Sequence, residues 1–244
     1  MMKKYVLITG ASRGIGRSSA LLFAKNNYHV FLNCRSSADE LTQVKETIDR
    51  IEGASCDIVM GDAGNPKEVR EIFKKIETVC GRLDVLVNNA GISHIGLLSD
   101  MSDDEWDAVI QTNLSSVFYC CRAAIPKMVS EKRGRIINVS SMWGVSGASM
   151  EAAYSASKSG VNGLTRALAK ELAPSNIQVN AIACGVIDTV MNSQLSESEK
   201  KALEYDIPMG RFGSPAEIAK VIWDLANAPE YMTGQILGVD GGYL

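Results

Sequence analysis

The chain has few of the residues that build metal sites and membrane spans. Its 244 residues include two histidines, His29 and His94, which are too few for a histidine-based zinc site. The six cysteines are scattered without a CxxC spacing. No stretch approaches the run of about 18 apolar residues that a membrane span needs. The net charge of −3 also argues against general nucleic-acid binding. We therefore expect no metal centre, no membrane span and no nucleic-acid partner.

The start of the chain does not show the pattern of an export signal. Met1 to Lys4 lead directly into Tyr5–Gly10, which is too short and too soon broken by glycine for a signal peptide. We therefore expect a cytoplasmic protein with reduced cysteines. With 46% hydrophobic residues the chain can bury one large core, so we predict a single domain over residues 1–244.

Apolar runs alternate with helical patterns along the whole chain. The predicted strands are Tyr5–Thr9, His29–Cys34, Ser55–Gly61, Leu83–Asn88, Arg135–Ser140, Ile177–Ala183 and Gln235–Val239. The predicted helices are Gly14–Asn26, Ala38–Ile51, Pro66–Cys80, Asp103–Ser130, Ala152–Ala173 and Pro215–Asn227, with a mixed stretch at Thr189–Pro208. Such alternation indicates an α/β fold, a doubly wound (Rossmann-type) parallel sheet of about seven strands with helices on both faces.

Tyr154 and Lys158 form a candidate acid/base pair. They stand four residues apart on a predicted helix, so their Cβ atoms lie about 5–6 Å apart on one face. Lowering a tyrosine pKa from about 10 to about 7 takes about 4 kcal/mol. A lysine ammonium about 5 Å away supplies roughly 3 kcal/mol at an effective dielectric of about 20. A cationic cofactor is the candidate source of the remainder. The alternative is a tyrosine and a lysine on a solvated helix face.

A glycine-rich turn, Thr9-Gly10-Ala11-Ser12-Arg13-Gly14-Ile15-Gly16, joins the first predicted strand to the first helix. Glycines at such a turn let backbone N–H groups approach a pyrophosphate at the positive end of the helix. The spacing is GxxxGxG, which differs from the GxGxxG of longer dinucleotide-binding enzymes and from a P-loop. The turn predicts a dinucleotide site, and a purely structural turn is the alternative.

The end of the second strand bears on which dinucleotide binds. NAD sites place a carboxylate there for the ribose 2′-hydroxyl, whereas an arginine accommodates a 2′-phosphate. This chain has Arg35 at that place and no acid until Asp39, and Arg13 in the glycine turn is a second candidate for the same phosphate. We therefore predict NADP(H). The alternative for each arginine is a solvated surface charge.

Five motifs occur together and in order: Thr9-Gly10-x-x-x-Gly14-x-Gly16, Asn88-Asn89-Ala90-Gly91, Asn113, Ser141 and Tyr154-x-x-x-Lys158. With this set the chain resembles the short-chain dehydrogenase/reductase family over essentially its whole length. The resemblance implies an oxidoreductase in which a nicotinamide cofactor exchanges a hydride with a carbonyl or an alcohol.

The resemblance also implies roles for individual residues. Tyr154 would give its proton to the carbonyl oxygen, Ser141 would orient that oxygen, and Lys158 would lower the tyrosine pKa and hold the nicotinamide ribose. Asn113 would hold a water that links the lysine to solvent, although a core asparagine bonded to backbone is the alternative. The implied cofactor-binding residues are Gly10, Ser12, Arg13, Gly14, Ile15, Gly16, Arg35, Asp62, Ala63, Asn89, Ala90, Gly91, Tyr154, Lys158, Ile187 and Thr189.

Two positions near the predicted site are ambiguous. The family usually has Pro-Gly after the sixth strand, and here Cys184-Gly185 stands there, which removes a φ restraint. The thiol is either reactive or a small buried filler. His94 follows the Asn-Ala-Gly turn, so it either borders the substrate pocket or lies on the surface.

The segments Ile207–Gly213 and Gly234–Gly242 resemble the 3-oxoacyl-(acyl carrier protein) reductases of fatty acid biosynthesis. A substrate lid is expected near residues 189–208. Docking of an acidic carrier protein would use the basic cluster Lys127, Lys132, Arg133 and Arg135, whose alternative role is solubility. A second basic contact expected after the Tyr154 helix is missing, since Ser175 stands there.

Three functions remain open from the sequence. The first is NADPH-dependent reduction of a 3-oxoacyl thioester linked to acyl carrier protein or CoA. The second is the same chemistry on a sugar, a steroid or a small ketone, and the third is a dinucleotide-binding regulator without turnover. The helices Asp103–Ser130 and Ala152–Ala173 carry apolar or small residues beyond one face, which predicts a self-complementary interface and, by the resemblance, a homotetramer. The alternative is that both helices are buried within one subunit.

Overall fold

A computed structural model describes residues 3–193 and 195–244, so Met1, Met2 and Gln194 lie outside the described residues. The strands are β1 (Lys4–Ile8), β2 (Tyr28–Leu32), β3 (Ser55–Ile58), β4 (Val85–Asn88), β5 (Gly134–Ser141), β6 (Ile177–Cys184) and β7 (Ile236–Val239). The α-helices are α1 (Gly14–Lys25), α2 (Ala38–Asp49), α3 (Pro66–Val79), α4 (Asp103–Ile110), α5 (Ser116–Ser130), α6 (Trp143–Ser146), α7 (Ala152–Leu172), α8 (Glu197–Asp206) and α9 (Pro215–Ala226).

The strands form one parallel sheet in the order β3-β2-β1-β4-β5-β6-β7. The predicted doubly wound architecture is therefore confirmed. The chain builds outwards from β1 to β3 and then returns to place β4 on the other side of β1. This reversal creates a crevice beyond the carboxyl ends of β1 and β4, which is where ligands bind in open α/β sheets.

The core consists of two apolar layers, one on each face of the sheet. Adjacent strand residues point to opposite faces, so Val6 and Ile8 join one layer while Leu7 joins the other. The first layer packs the sheet against α1, α2 and α9, and the second packs it against α3, α5 and α7. Both faces are covered, which explains why the strands read as continuous apolar runs.

The predicted helix Asp103–Ser130 is interrupted. A π-helical turn at Gln111–Ser115 separates α4 from α5, and the helical path continues through it. The apolar spacing does not reveal this wider turn, because the helix resumes its periodicity after it. Such turns are frequent at functional sites. Asn113 is the middle residue of this one, and it is buried.

Smaller differences concern the ends of the elements. β3 ends at Ile58 rather than at Gly61, and β4 begins at Val85 rather than at Leu83. The short helix α6 was not predicted, since its four residues span barely one turn. None of the helices within residues 3–193 and 195–244 has the length and apolar character to cross a membrane.

Candidate active site

The glycine turn and the Asn-Ala-Gly turn form one hydrogen-bonded unit. The Thr9 hydroxyl accepts bonds from the backbone N–H groups of Asn89 and Ala90, both at 3.0 Å. The Asn89 side chain in turn donates to the carbonyl oxygens of Thr9 and Gly10, at 3.0 and 3.1 Å. These bonds tie the end of β1 to the end of β4. They fix the floor of the crevice at the point where the sheet reverses.

Two glycines of the turn have no room for a side chain. Gly10 has a φ of +66°, and a Cβ there would lie 3.0 Å from the Cα of Ala90. A Cβ on Gly16 would collide with the backbone of Gly10 and lie 2.7 Å from the Asn89 amide nitrogen. The helix that follows has no acidic residue in its first turn. The turn therefore offers backbone N–H groups and an unneutralised helix end, which fits the pyrophosphate of a dinucleotide.

One cavity of about 480 Å³ runs along the carboxyl edge of the sheet. It extends from the glycine turn and Arg35 to Ser141, Tyr154 and the loop after β6. The predicted residues that line it are Gly10, Ser12, Arg13, Gly14, Ile15, Arg35, Asp62, Ala63, Asn89, Ala90, Gly91, Ser141, Tyr154, Lys158, Ile187 and Thr189. Gly16 and Asn113 are not among the lining residues and support the cavity from behind.

At the far end of the cavity, Ser141, Tyr154 and Lys158 lie close together. Ser141 ends β5, and its side chain is close enough to the Tyr154 phenol to lower the pKa of that phenol. The Lys158 ammonium lies 5.6 Å from the centre of the Tyr154 ring and donates to the Val139 carbonyl oxygen at 2.9 Å. A substrate oxygen within reach of Ser141 would therefore also be within reach of Tyr154.

The electrostatics of this pair differ from the expectation. Burial raises the pKa of Tyr154 above its ordinary value, and the Ser141 side chain offsets part of this rise. Burial also lowers the pKa of Lys158 to about 8. The expectation that Lys158 brings the tyrosine pKa toward neutrality is therefore wrong for the chain without a ligand. Desolvation of the phenolate outweighs the attraction of an ammonium that is itself desolvated and bonded to backbone.

Asn113 holds the backbone that follows the Asn-Ala-Gly turn. Its Oδ1 accepts from the Ile92 N–H at 2.8 Å, and its Nδ2 donates to the Ile92 carbonyl at 2.9 Å. The same Nδ2 donates to the Ser157 hydroxyl at 3.1 Å. The side chain thus links the π turn, the loop after β4 and α7. This is more than the backbone-only contact of the alternative, since it reaches the helix that carries Tyr154 and Lys158.

Both predicted phosphate arginines line the cavity, and each has an acidic neighbour. Arg13 lies 3.7 Å from Glu40, and Arg35 lies 3.7 Å from Asp62. Their side chains are 57% and 60% exposed, so these contacts are weak and leave both guanidinium groups free to turn toward a ligand.

Cys184 lies in the wall of the cavity, whereas His94 lies outside it. Cys184 is buried in the cavity wall, and burial raises its pKa to about 12, so its thiol is protonated at neutral pH and acts as a filler. His94 is not among the residues that line the cavity, although its neighbours Ser93 and Ile95 are. The imidazole instead lies 3.9 Å from Glu105.

The sequence reading missed two residues of the catalytic end. Trp143 follows Ser141 at the start of α6, and its backbone N–H donates to the Ser141 hydroxyl at 3.2 Å. Glu151 precedes α7 and lines the cavity, and the Trp143 side chain is close enough to lower the pKa of its carboxyl. One signal was available: Glu151 is an acidic residue that stands only three positions before Tyr154.

The basic cluster lies away from this cavity. Lys132, Arg133 and Arg135 line a second cavity of about 440 Å³ at the opposite, amino-terminal edge of the sheet. Arg135 is at the start of β5 and Ser141 at its end, which separates them by about 20 Å. The cluster is therefore not continuous with the catalytic end of its own chain.

Comparisons with known proteins agree with this geometry. The profile of the short chain dehydrogenase family matches residues 4–200. The 3-oxoacyl-[acyl-carrier-protein] reductase FabG of Thermotoga maritima is 42% identical over 98% of this chain and 97% of its own length. The protein of the same name from Staphylococcus aureus (strain Mu50) is 43% identical over 99% and 98%.

A solved structure described as a putative gluconate dehydrogenase from Agrobacterium tumefaciens superposes with a TM-score of 0.94. It is 32% identical and covers 98% of this chain and 95% of its own. The predicted class, an oxidoreductase that uses a nicotinamide cofactor, is confirmed by these relatives and by the fold. The chain belongs to the short-chain dehydrogenase/reductase family.

Proposed function

We propose that the protein reduces 3-oxoacyl thioesters to 3-hydroxyacyl thioesters with NADPH. The observation that carries the proposal is that the glycine turn, Arg35, Ser141, Tyr154 and Lys158 all face one cavity. The relatives named as 3-oxoacyl-[acyl-carrier-protein] reductases, similar over nearly the full chain, supply the substrate class. The apolar side chains of Ile95, Val190 and Met191 at the cavity wall suit an acyl chain.

Tyr154 acts as the proton donor in this proposal. A donor must hold its proton at neutral pH, and the raised pKa of Tyr154 keeps the phenol neutral. Ser141 binds the same carbonyl oxygen and orients it toward the phenol. When bound, the nicotinamide supplies the hydride. Lys158 holds the nicotinamide ribose, and its charge stabilises the tyrosinate that remains after proton transfer.

Asn113 acts through Lys158 rather than on the substrate. It holds Ile92 and Ser157, which flank the lysine, and a water held in the same region would return a proton to the lysine from solvent. This relay is proposed from the family resemblance, and the bonds of Asn113 support the part that concerns position.

NADP(H) is the proposed cofactor. Arg13 and Arg35 both line the cavity beside the glycine turn, where the adenosine 2′-phosphate would lie. Asp62 and Ala63 in the loop after β3 form the proposed adenine contact, and Ile187 and Thr189 after β6 form the proposed carboxamide and phosphate contacts. The weak contacts of both arginines with acids would be exchanged for a phosphate of higher charge.

Residues 189–208 form the proposed substrate lid of the single catalytic domain. The segment contains a short 3-10 turn at Val190–Asn192 and the helix α8, which has no buried residue. Gln194 of this segment lies outside the described residues. A helix without a buried face has few contacts to break on opening. A capping box at Ser196 and Glu199 starts α8, so the helix itself is well defined.

Carrier-protein docking remains a proposal of narrower scope. The basic cluster lies about 20 Å from the catalytic end of its own chain, so it serves that site only if a carrier reaches it from a neighbouring subunit. Ser175 stands after α7 where a second basic contact was expected, and it carries no charge. We therefore propose that CoA-linked and carrier-linked substrates are both accepted.

A homotetramer is the proposed assembly. Trp106, Phe118 and Val129 are between 37% and 44% exposed on α4 and α5, which leaves an apolar surface beyond the core-facing side. Gly160 of α7 instead faces Leu114 of the same chain, so part of the small-residue stripe serves packing within one subunit. Light scattering at micromolar concentration tests the proposal, and a monomer would contradict it.

Reduction of another carbonyl or alcohol, such as a sugar, a steroid or a small ketone, is the second candidate. The solved structure described as a putative gluconate dehydrogenase favours this candidate, because that protein has the same fold and is named for a different substrate. A non-catalytic dinucleotide-binding regulator is the weakest candidate, because the tyrosine, lysine, serine and asparagine are all present and together.

Steady-state kinetics with acetoacetyl-CoA and a panel of sugars, steroids and small ketones separate these functions. We expect the highest kcat/KM with acetoacetyl-CoA and NADPH. A higher kcat/KM with any other carbonyl would favour the second candidate, and cofactor binding without turnover of any substrate would favour the third.

A further inference from the structure

We infer that Glu151 is a specificity-determining residue whose negative charge makes the catalytic end of the cavity unfavourable for anionic substrates. It would make the enzyme accept neutral 3-oxoacyl esters and thioesters and reject the free 3-oxo acids. The inference rests on the proposed function, because it concerns which 3-oxoacyl compounds reach Ser141 and Tyr154.

The position of Glu151 places its carboxyl beside the reacting groups. Glu151 is the N-cap residue of α7, and Tyr154 follows three residues later in the first turn of the helix. Its charge is close enough to raise the pKa of Tyr154. Because Glu151 also lines the cavity, a substrate that contacts Tyr154 meets this carboxyl as well.

Trp143 is a neighbour of this carboxyl. The Trp143 side chain is close enough to the Glu151 carboxyl to lower its pKa, and its ring packs edge-on against Tyr243 with 5.6 Å between ring centres. Its backbone N–H also bonds the Ser141 hydroxyl. The side chains of Ser141, Trp143 and Glu151 therefore form one wall of the catalytic end, and the carboxyl is part of that wall.

The charges that line the cavity are unevenly distributed. Arg13 and Arg35 are at the end with the glycine turn, and Asp62 stands beside Arg35. Lys158 is the cation that lines the catalytic end, and its ammonium is bonded to the Val139 carbonyl. Among the described residues Glu151 forms no ion pair. The carboxylate is therefore not neutralised by any described side chain, although burial raises its pKa somewhat.

The chemistry of the substrate turns this asymmetry into selectivity. In a 3-oxo acid the carboxylate is two bonds from the carbonyl carbon that is reduced, so its charge must enter the same small space. Two negative charges a few ångströms apart in a partly buried cavity repel strongly. A thioester or ester carries no charge at that atom and avoids this repulsion.

Glu151→Gln tests the inference, because it removes the charge and keeps the size of the side chain and one of its oxygen atoms. The substrates are acetoacetate and ethyl acetoacetate, measured at pH 8 with NADPH. We expect kcat/KM for acetoacetate, relative to ethyl acetoacetate, to rise by about tenfold, mainly through a lower KM. Tenfold corresponds to about 1.4 kcal/mol.

Glu171→Gln on the same helix is the matched control, since it makes the same charge change at an exposed position. It should leave the ratio unchanged. Glu151→Lys is the second variant, and it should raise the relative use of acetoacetate further than glutamine does. If both Glu151 variants keep the wild-type ratio, the inference is wrong.

The failure of the proposed function would look different. In that case the wild type would reduce neither ethyl acetoacetate nor acetoacetyl-CoA, while a different carbonyl would be turned over. An unchanged ratio in an enzyme that reduces acetoacetyl-CoA overturns only the role of Glu151.

Discussion

The two ends of the cavity are built from different materials. The end with the glycine turn uses backbone N–H groups and two arginines that are more than half exposed. The end with Tyr154 uses side chains removed from water, and Lys158 is only 4% exposed. Charges at the first end are screened by solvent, whereas burial governs the pKa values of Tyr154 and Lys158 at the second end. Binding and chemistry are thus separated along one groove.

The comparison predicts that changes at the buried end affect turnover most. Tyr154→Phe should lower kcat by about 10³-fold, since general acid catalysis contributes about 10²–10⁴-fold. Binding of NADPH, measured by fluorescence titration, should be nearly unchanged. Tyr231→Phe at a fully exposed position is the control. Substantial reduction by Tyr154→Phe with every accepted substrate would remove Tyr154 from the proposed role.

Lys158 belongs to both ends, so its removal should affect both measurements. We expect Lys158→Met to lower kcat by about 10²-fold and to weaken NADPH binding as well. The melting temperature of the ligand-free chain should not fall, because a buried cation is replaced by an apolar side chain of similar length. Lys170→Met on the exposed side of α7 is the control. An unchanged NADPH affinity would limit Lys158 to the chemistry.

The lowered pKa of Lys158 also predicts a pH dependence of stability. Between about pH 8 and the ordinary lysine value of 10.5, the unfolded chain holds this proton and the folded chain has released it. The contribution of Lys158 to the free energy of unfolding must therefore rise with pH in that window. In urea unfolding, the free energy of unfolding of the wild type should therefore rise with pH relative to that of Lys158→Met. The buried cysteines and Tyr154 are present in both proteins, so their contributions cancel in this comparison. A constant difference would contradict the shifted pKa.

At the exposed end, a substitution should change the preference between cofactors and leave the chemistry intact. Arg35→Asp should lower the ratio of kcat/KM for NADPH over NADH by about 30-fold, because a bond to a charged phosphate is worth about 2 kcal/mol. Turnover at saturating cofactor should stay close to wild type. Arg50→Asp, at the exposed residue that follows α2, serves as the control. A wild type that uses both cofactors equally would show that neither arginine selects NADPH.

The smallest effects concern two capping boxes. Ser214 caps α9, which packs into the core, and Ser196 caps α8, which buries nothing. Each serine-to-alanine change costs about 1 kcal/mol locally. Ser214→Ala should lower the melting temperature by about 2–4 °C, whereas Ser196→Ala should raise proteolytic cleavage within α8 at an unchanged melting temperature. Equal melting temperatures of the two variants would show that α8 is not the looser element.

The strands, the helices and the positions of the motifs could be predicted from the sequence because their signals are local. Strands such as Val85–Asn88 are buried on both faces, so their residues are uniformly apolar. The motif spacings likewise placed Tyr154, Lys158 and Ser141 at one end of the sheet. The direction of the Tyr154 pKa shift could not be predicted from the sequence, because it depends on how much water the fold removes from around the phenol.

Glu151 shows a second kind of limit. A carboxylate just before a helix is a common helix-start signal, and this hides a residue that faces a cavity. Its partner Trp143 is eight residues away on a separate short helix, and no periodicity joins the two. The same holds for Asn88, whose amide donates to Asn138 Oδ1 at 2.8 Å across the sheet.

The π turn at Gln111–Ser115 sets the rotational phase between α4 and α5. One residue corresponds to about 100° of helix rotation. Winding the same residues as a regular α-helix would turn α4 by about that angle relative to α5. Asn113 would then leave Ile92, or α4 would face a different neighbour, with no change in composition. The packing of α4 and α5 therefore requires the wider winding of this segment, just as the hydrogen bonds to Ile92 and Ser157 require Asn113.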